Sequence, residues 1–188
     1  MYPVQKQEGT RGIGMGYMEF VEGFEALCQE HLRDRRARAF AFVFYNMENG
    51  IVRQALSQAH GFRLLHEKTG KDITLFYLHD SAVDEHCHKF NNNFMAALGV
   101  EEQAVPPCMV FFGVHGDQIE DVSIYVIDEQ TQDPILVVAE LEQYIDEATT
   151  KMNAQGNLAG ISDWAKTIAR ITAVAKFSEL ILKLKGAV

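Results

Sequence analysis

The chain has 188 residues, a formal net charge of −9 and a hydrophobic fraction of 47%, values typical of one globular domain with an appendage. The acidic balance argues against a nucleic-acid partner, because phosphates bind to basic surfaces. No apolar run approaches the ~20 residues that a membrane-spanning helix needs. Three widely spaced cysteines, with no apolar leader before them, predict reduced thiols in the cytoplasm.

The N-terminal residues 1–16 contain four glycines and few side chains that could pack in a core. A phosphate-binding glycine loop would need a strand before it, and no strand pattern precedes these glycines. We therefore predict that residues 1–16 form a flexible arm. Apolar residues at steps of three and four then predict a helix over 17–33, at the start of a domain that spans 17–150.

Two apolar strands joined by a helix are predicted next. Residues 40–45 are a continuous aromatic and β-branched run, which is typical of strands buried on both faces. After a polar turn, residues 51–66 have helical periodicity, and residues 73–78 form a second apolar strand. This order predicts a right-handed βαβ unit with parallel strands.

A further helix, a hairpin and a last helix complete the predicted domain. The pattern predicts a helix near 90–98 and hairpin strands over 108–113 and 122–127. An aspartate N-cap, Asp133, followed by proline, then opens a helix over 135–148.

The C-terminal part of the chain differs in charge from the rest. Residues 151–160 are typical of a linker, and residues 161–188 predict one amphipathic helix. Its apolar stripe comprises Trp164, Ile168, Ile171, Val174, Phe177 and Ile181. Five basic and two acidic residues give 162–185 a net charge of +3, which leaves −12 elsewhere. We expect the stripe to cover its own domain or the same helix of a second copy, because the acidic remainder argues against an anionic membrane.

The sequence around the first turn resembles the thioredoxin-like superfamily. In that family an apolar strand ends in an aromatic pair, and a Cys-x-x-Cys motif opens the next helix. FYNMENGIVRQ has Phe44 and Tyr45 at the aromatic pair and Asn49 to Val52 at the motif. The order of elements and the segment VPPCMVFF, which is similar to the family's cis-proline and following strand, extend the resemblance. It implies an α/β three-layer sandwich with a central mixed sheet, to which the C-terminal helix is added.

The resemblance implies a protein-binding module without redox chemistry. Asn49 and Val52 cannot form the thiolate that disulfide exchange needs, so the chain is not a Cys-x-x-Cys oxidoreductase. A groove remains, where the cis-proline backbone could pair with an extended peptide. Its expected residues are Tyr45, Asn46, Asn49, Gly50, Pro106 and Pro107. We expect an adaptor or chaperone-like protein that binds a protein or extended peptide and needs no cofactor, with one cis bond in the proline pair.

Two other functions fit the sequence. A single-cysteine enzyme could use Cys108, which follows the proline pair, or Cys87, although either thiol could equally be buried in the core. An assembly protein could instead form a homo-oligomer through the C-terminal helix and use the rest as a scaffold. Thiol reactivity would distinguish the first from an adaptor, and mass in solution would distinguish the second.

The loop after the second strand contains residue types that bind zinc: His79, Asp80, His86, Cys87 and His88. Their spacing argues against a metal site, because three of them are consecutive and adjacent residues rarely face one centre. A solvated acidic loop is the favoured interpretation, so no metal is predicted.

Overall fold

The computed structural model describes residues 2–5, 15–34, 38–46, 48–57, 59–70, 72–79, 84–115, 118–155, 167–176, 179 and 182–183. Within these residues, seven strands form one sheet: β1 (Tyr2–Gln5), β2 (Met15–Gly16), β3 (Ala39–Phe44), β4 (Ile73–His79), β5 (Cys108–His115), β6 (Gln118–Val126) and β7 (Thr167–Lys176). The helices are α1 (Tyr17–Arg33), α2 (Gly50–Ser57), α3 (Ala59–Thr69), α4 (Asp84–Leu98) and α5 (Pro134–Gln155). The expected α/β class with a central mixed sheet is confirmed.

The sheet combines parallel strands on one side with antiparallel strands on the other. Its order is β2-β1-β4-β3-β5-β6-β7, and β2, β1, β4 and β3 are all parallel. β5 is antiparallel to β3, β6 is antiparallel to β5, and β7 is antiparallel to β6. The sequence correctly predicted both the parallel pair β3 and β4, which α2 and α3 connect, and the hairpin of β5 and β6.

One face of the sheet is covered by a layer of phenylalanine side chains. Successive residues of a strand point to opposite faces, so Phe40, Phe42 and Phe44 of β3 share one face. Nine buried phenylalanines form the layer: Phe20, Phe24, Phe40, Phe42, Phe44, Phe76, Phe90, Phe94 and Phe112. Phe42 lies at its centre, with its ring centroid 4.7 Å from that of Phe94 and 5.2 Å from that of Phe76. The layer joins α1 and α4 to the sheet.

The opposite face of β3 carries the smaller Ala41 and Val43, and α2, α3 and α5 lie on that side. At Gly61, the helix α3 approaches both α2 and α5 very closely. A Cβ atom at Gly61 would lie 2.1 Å from the Ala55 carbonyl oxygen and 3.0 Å from Val138 Cγ2. Two helices, α2 and α3, thus stand where the sequence predicted one, and glycine allows them to meet.

Glycine ends both α3 and α4, as the sequence predicted. Gly70 and Gly99 have φ angles of 54° and 68°, in the left-handed region that glycine enters without a Cβ clash. At the end of α4, the Gly99 N–H bonds to the Ala96 carbonyl at 3.1 Å and the Val100 N–H bonds to the Met95 carbonyl at 3.0 Å. These two bonds satisfy carbonyl groups that the helix itself leaves unpaired.

The prediction of a flexible arm over 1–16 is wrong for the residues that form β1 and β2. Tyr2–Gln5 pairs in parallel with β4, with Tyr2 opposite Phe76 and Val4 opposite Leu78. A strand of four residues is too short to show a clear period in the sequence. The open edge of β4, which the local sequence does not reveal, provides the hydrogen-bonding partners.

The prediction of a C-terminal helix over 161–188 is wrong for Thr167–Lys176, which forms β7. β7 runs antiparallel to β6, with Ile171 opposite Val122. Five of the ten residues of β7 are β-branched, a composition that favours a strand when a sheet edge is available. The apolar residues of this segment also recur at steps of three and four, and this pattern favoured a helix over a strand.

The apolar stripe of the predicted helix is consequently divided. Three of its residues lie in β7: Ile168, Ile171 and Val174. The other three lie outside the described residues: Trp164, Phe177 and Ile181. A helical oligomerisation surface therefore does not exist over β7, and the positive segment instead extends the sheet.

Candidate functional site

Three chain segments adjoin the same edge of the sheet. Phe44 ends β3 and pairs with Cys108, which begins β5, and Cys108 also pairs with Val126 at the end of β6. The segments joined to these strand ends are residues 45–49, 105–107 and 128–136. We call these three segments the proline edge, and the residues expected to form a groove lie in them or directly after them.

The peptide bond between Pro106 and Pro107 is cis, which confirms the prediction of one cis bond in this pair. The Pro107 carbonyl accepts a hydrogen bond from the Ile127 N–H at 3.0 Å, so Pro107 is attached to the end of β6. Val105 is 66% exposed immediately before the pair. Since proline has no N–H, Val105 is the one residue of Val105–Pro107 that can donate a backbone hydrogen bond.

The turn before α2 is closed by two hydrogen bonds between Asn46 and Asn49. The Asn46 N–H donates to Asn49 Oδ1 at 2.8 Å, and the Asn49 N–H donates to the Asn46 carbonyl at 3.0 Å. The Asn49 carbonyl then accepts the Arg53 N–H at 3.1 Å, in the first turn of α2. The Asn49 side chain is therefore an amide that holds the turn and offers no nucleophile.

The same turn is attached to α4 and β4 by buried polar groups. Asn91 of α4 is 3% exposed, and its Nδ2 donates to the Tyr45 carbonyl at 3.1 Å and to Asn46 Oδ1 at 3.0 Å. The Tyr45 hydroxyl donates to the Leu78 carbonyl. Sequence reasoning missed Asn91, although a polar residue between the buried Phe90 and Phe94 was an available signal.

Gly50, the first residue of α2, borders open space. A Cβ atom added there would meet nothing within 4 Å. The expected groove residues therefore differ in role: Tyr45, Asn46 and Asn49 build the turn, whereas Gly50 lies beside unfilled volume.

Neither cysteine proposed for a single-cysteine enzyme is accessible. Cys108 is fully buried on the face of the phenylalanine layer, where it pairs with Phe44, and burial raises the pKa of its thiol to about 12. Cys87 is 1% exposed. Nucleophilic chemistry needs an accessible thiolate, so this geometry favours the structural interpretation of both residues.

The five candidate metal ligands are only partly described. Cys87 is buried and the neighbouring His88 is exposed, so their side chains do not face one centre. The side chains of His79 and His86, and all of Asp80, lie outside the described residues. In the described part of the chain, no three His, Cys, Asp or Glu residues are grouped as metal ligands would be.

Exposed apolar side chains are concentrated at the proline edge. Among the side chains that the structure describes, four large apolar ones are exposed: Val105, Ile135, Leu136 and Leu182. Three of the four belong to the proline edge. Asp133 caps α5 as predicted, because its Oδ1 accepts the Ile135 N–H at 2.9 Å, and the first turn of the helix leaves Ile135 65% and Leu136 59% exposed.

A shallow depression of about 420 Å³ lies elsewhere, between α3 and α5. Its polar lining includes Lys68, Glu142, Asp146 and Lys151, and no residue of the proline edge takes part. Lys68 Nζ is 2.6 Å from Asp146 Oδ2, and this hydrogen bond raises the pKa of the lysine. The depression is lined mainly by charged and polar side chains and lies outside the proline edge, so it is not the candidate site.

Comparisons with other proteins add no relatives: neither a protein-family model nor a curated protein nor a solved structure matches the chain. Among the described helices, none is long and apolar enough to cross a membrane. Fold and site together define a mixed α/β protein whose sheet edge combines a cis-proline, a hydrogen-bonded turn and exposed apolar side chains.

Proposed function

We propose that the chain is a redox-inactive, thioredoxin-like module that binds an extended segment of another protein at the proline edge. The order and directions of β1, β4, β3, β5 and β6 support the resemblance seen in the sequence. The cis bond directly before β5, and the turn that leads from β3 into a helix, support it as well. On this view, β2 and β7 are additions at the two sides of the sheet.

The exposed apolar residues of the proline edge are the observation that carries the proposal. Val105, Ile135 and Leu136 are each at least 59% exposed, whereas large apolar residues elsewhere in the described chain are mostly buried. Fully burying one such side chain against a partner is worth about 1.5–3 kcal/mol. A surface that carries several exposed apolar side chains is suited to binding, because a partner can bury them.

The backbone beside these side chains could align an extended peptide. The Val105 N–H and carbonyl precede the cis bond, outside the strands of the sheet. An extended chain that runs alongside could pair with both groups, as in strand addition to a sheet edge. Pro106 and Pro107 provide no further donor, so side-chain contacts must supply much of the binding energy.

Disulfide chemistry is not part of the proposed function. None of the three cysteines forms a disulfide and all three are buried, while two hydrogen bonds hold Asn49 in its turn. Binding at this edge would therefore be non-covalent and reversible, which suits an adaptor or chaperone-like role.

Peptide display on the full-length protein tests this proposal. Random peptides displayed on phage would be selected for binding, and the dissociation constants of the selected peptides would be measured by fluorescence anisotropy. The double variant Val105→Ser/Leu136→Ser should weaken binding about tenfold or more, because it removes two apolar contacts. The control Leu182→Ser removes an equally exposed apolar side chain outside the proline edge and should leave the affinity unchanged.

Two results would refute the proposal. One is that no displayed peptide binds the folded protein above background. The other is that the selected peptides bind the double variant and the parent protein with equal affinity, since the apolar residues of the proline edge would then play no part.

A further inference from the structure

Hydrogen bonds around the turn before α2 fix the direction in which its asparagine side chains face. The Tyr45 carbonyl can only accept a hydrogen bond, so the Asn91 atom that lies 3.1 Å from it is the amide nitrogen Nδ2. The same nitrogen lies 3.0 Å from the side chain of Asn46, where its second hydrogen needs an acceptor. The side chain of Asn46 therefore turns its oxygen, Oδ1, toward Asn91 in α4.

Asn49 is oriented in the same way. The Asn46 N–H can only donate, so the atom of Asn49 that lies 2.8 Å from it is Oδ1. Both side-chain oxygens thus hold the turn, and the two amide nitrogens, Asn46 Nδ2 and Asn49 Nδ2, take no part in these bonds. Within the part of the chain that the structure describes, neither nitrogen donates a hydrogen bond to another group.

Both amide nitrogens can be reached from outside the turn. Asn46 and Asn49 are half-buried, and neither nitrogen is among the described side-chain atoms that are buried without a partner. Each NH2 group has two hydrogens that it can donate. The neighbouring pair Pro106 and Pro107 has no N–H to offer. The turn therefore supplies side-chain donors to a part of the proline edge where the backbone has few.

We infer that Asn46 and Asn49 recognise a bound segment by donating hydrogen bonds to its backbone carbonyl oxygens. This inference rests on the proposed function and names the groups that recognise the ligand. The ligand is then an extended segment whose carbonyls are not paired within a helix or sheet of its own, such as an unfolded or linker region. Val105, Ile135 and Leu136 would contact its apolar side chains.

A neutral carbonyl suits these donors better than a carboxylate does. The three segments of the proline edge contain no lysine or arginine that could neutralise a bound anion. Glu48 is exposed in the same turn and would repel a second negative charge. A carbonyl oxygen accepts from an amide NH2 group without needing a counter-ion.

Aspartate substitutions remove the donors with little change in shape. Asn46→Asp and Asn49→Asp each keep the oxygen that holds the turn and replace only the NH2 group by an oxygen that cannot donate. The probe is the tightest peptide selected by display, synthesised with an acetylated N-terminus and an amidated C-terminus, and anisotropy with the full-length protein gives its dissociation constant. We expect each variant to bind about tenfold more weakly, because a donor is lost and a carbonyl then faces a negative charge.

Gln54→Glu is the matched control for added charge. Gln54 is exposed in α2, outside the proline edge, and the substitution makes the same exchange of an amide for a carboxylate. This variant should keep the affinity of the parent protein. The urea midpoints of all three variants should match that of the parent, since the oxygens that hold the turn are retained.

Nuclear magnetic resonance of the parent protein observes the donors directly. The side-chain NH2 signals of Asn46 and Asn49 should shift when the peptide is added. The NH2 signal of Asn153, whose Oδ1 accepts from Arg38 near the end of α5, should stay in place. This measurement decides the question even if an aspartate variant loses stability, because unchanged Asn46 and Asn49 signals would overturn the inference.

The outcomes separate this inference from the proposed function. If the peptide binds the parent and both aspartate variants with equal affinity, the inference is wrong and the peptide site stands. It is also wrong if Gln54→Glu weakens binding as much as they do, since added charge would then explain the loss. Tighter binding of the same peptide with a free C-terminal carboxylate would overturn the assignment of a neutral acceptor. If display selects no peptide, both ideas fail.

Discussion

At the residue scale, the space around two glycines gives opposite expectations for the same substitution. Gly61→Ala places a Cβ atom 2.1 Å from the backbone oxygen of Ala55, which cannot move without shifting α2. Gly50→Ala places a Cβ atom in open space at the start of α2. We expect Gly61→Ala to lower the free energy of unfolding by about 1–3 kcal/mol or more, as measured by urea denaturation.

The Gly50→Ala variant is the matched control for Gly61→Ala. It should be neutral or slightly stabilising, because alanine restricts the unfolded chain and favours helix. If the two variants had the same stability, the close contact of α2 with α3 at Gly61 would not exist in solution.

Burial of the Cys108 thiol should appear in the pH dependence of stability. Its pKa is raised to about 12, from an ordinary value of 9.0, because the folded protein desolvates it. Above pH 9 the unfolded chain loses this proton while the folded protein keeps it. The contribution of the residue to stability therefore falls as pH rises, by about 1.4 kcal/mol per pH unit up to about pH 12.

Urea unfolding of the parent protein and of Cys108→Ala at pH 8 and pH 10 isolates this effect. The other titrating groups are common to both proteins, so the difference in free energy of unfolding between them reports Cys108 alone. We expect that difference to shift by about 1.4 kcal/mol in favour of the variant at pH 10. A constant difference would indicate an exposed thiol with an ordinary pKa and would reopen the single-cysteine enzyme.

At the element scale, β7 decides whether β6 lies inside the sheet or at its edge. β7 pairs with β6 from Gln118 to Tyr125, while β5 pairs with β6 on the other side. A chain that ends at residue 160 would remove β7 and leave one row of β6 backbone groups without a strand partner. We expect β6 amides to exchange about tenfold faster in this truncated chain, as measured by hydrogen exchange, because edge strands open more readily.

The internal control for this experiment is β3. It is paired on both sides by β4 and β5 in either chain, so its amide exchange should be unchanged. Exchange of β6 that is equally slow with and without residues 161–188 would contradict the pairing of β7 with β6. Oligomerisation through this segment stays a prediction from the sequence, and the mass of both chains in solution would test it.

At the scale of the whole molecule, the phenylalanine layer connects both helices of one face to the centre of the sheet. Phe42 stands in its middle, with the Phe94 ring centroid 4.7 Å away. Phe42→Ala should lower the free energy of unfolding by about 3–5 kcal/mol, a large part of the roughly 5–15 kcal/mol typical of a domain. Calorimetry should show a lower melting temperature for the entire protein, whereas the exposed Leu136→Ala should change stability by less than about 0.5 kcal/mol. If β3 and β5 melted at different temperatures, the prediction of one shared core would be wrong.

Much of the fold could be predicted from local pattern. The apolar runs of β3 and β4, the glycine ends of α3 and α4, and the Asp133 cap of α5 each depend on residues close in sequence. The location of the cis bond could be narrowed to the peptide bonds before Pro106 and before Pro107, because proline tolerates the cis form far better than other residues. Such features are decided by backbone geometry within a few residues, so one sequence suffices to recognise them.

Only part of the candidate site could be predicted from the sequence. Its turn and its proline pair were expected, but Asn91, Ile135 and Leu136 were not. Asn91 reaches the Tyr45 carbonyl across 46 positions of the chain, and no local pattern encodes such a contact. The outward position of Ile135 and Leu136 depends on which side of α5 faces the sheet, and their apolar character alone suggested burial.

The sequence by itself determined the α/β class, the central hairpin and the absence of a Cys-x-x-Cys motif, because periodicity, glycine, proline and cysteine act locally. Tertiary structure alone decided that Tyr2–Gln5 and Thr167–Lys176 are strands. Both segments depend on partners far away in the chain: Tyr2–Gln5 pairs with β4 as well as with the nearby β2, and Thr167–Lys176 pairs with β6. A strand, unlike a helix, cannot satisfy its backbone alone, so its existence depends on which edge the rest of the fold presents.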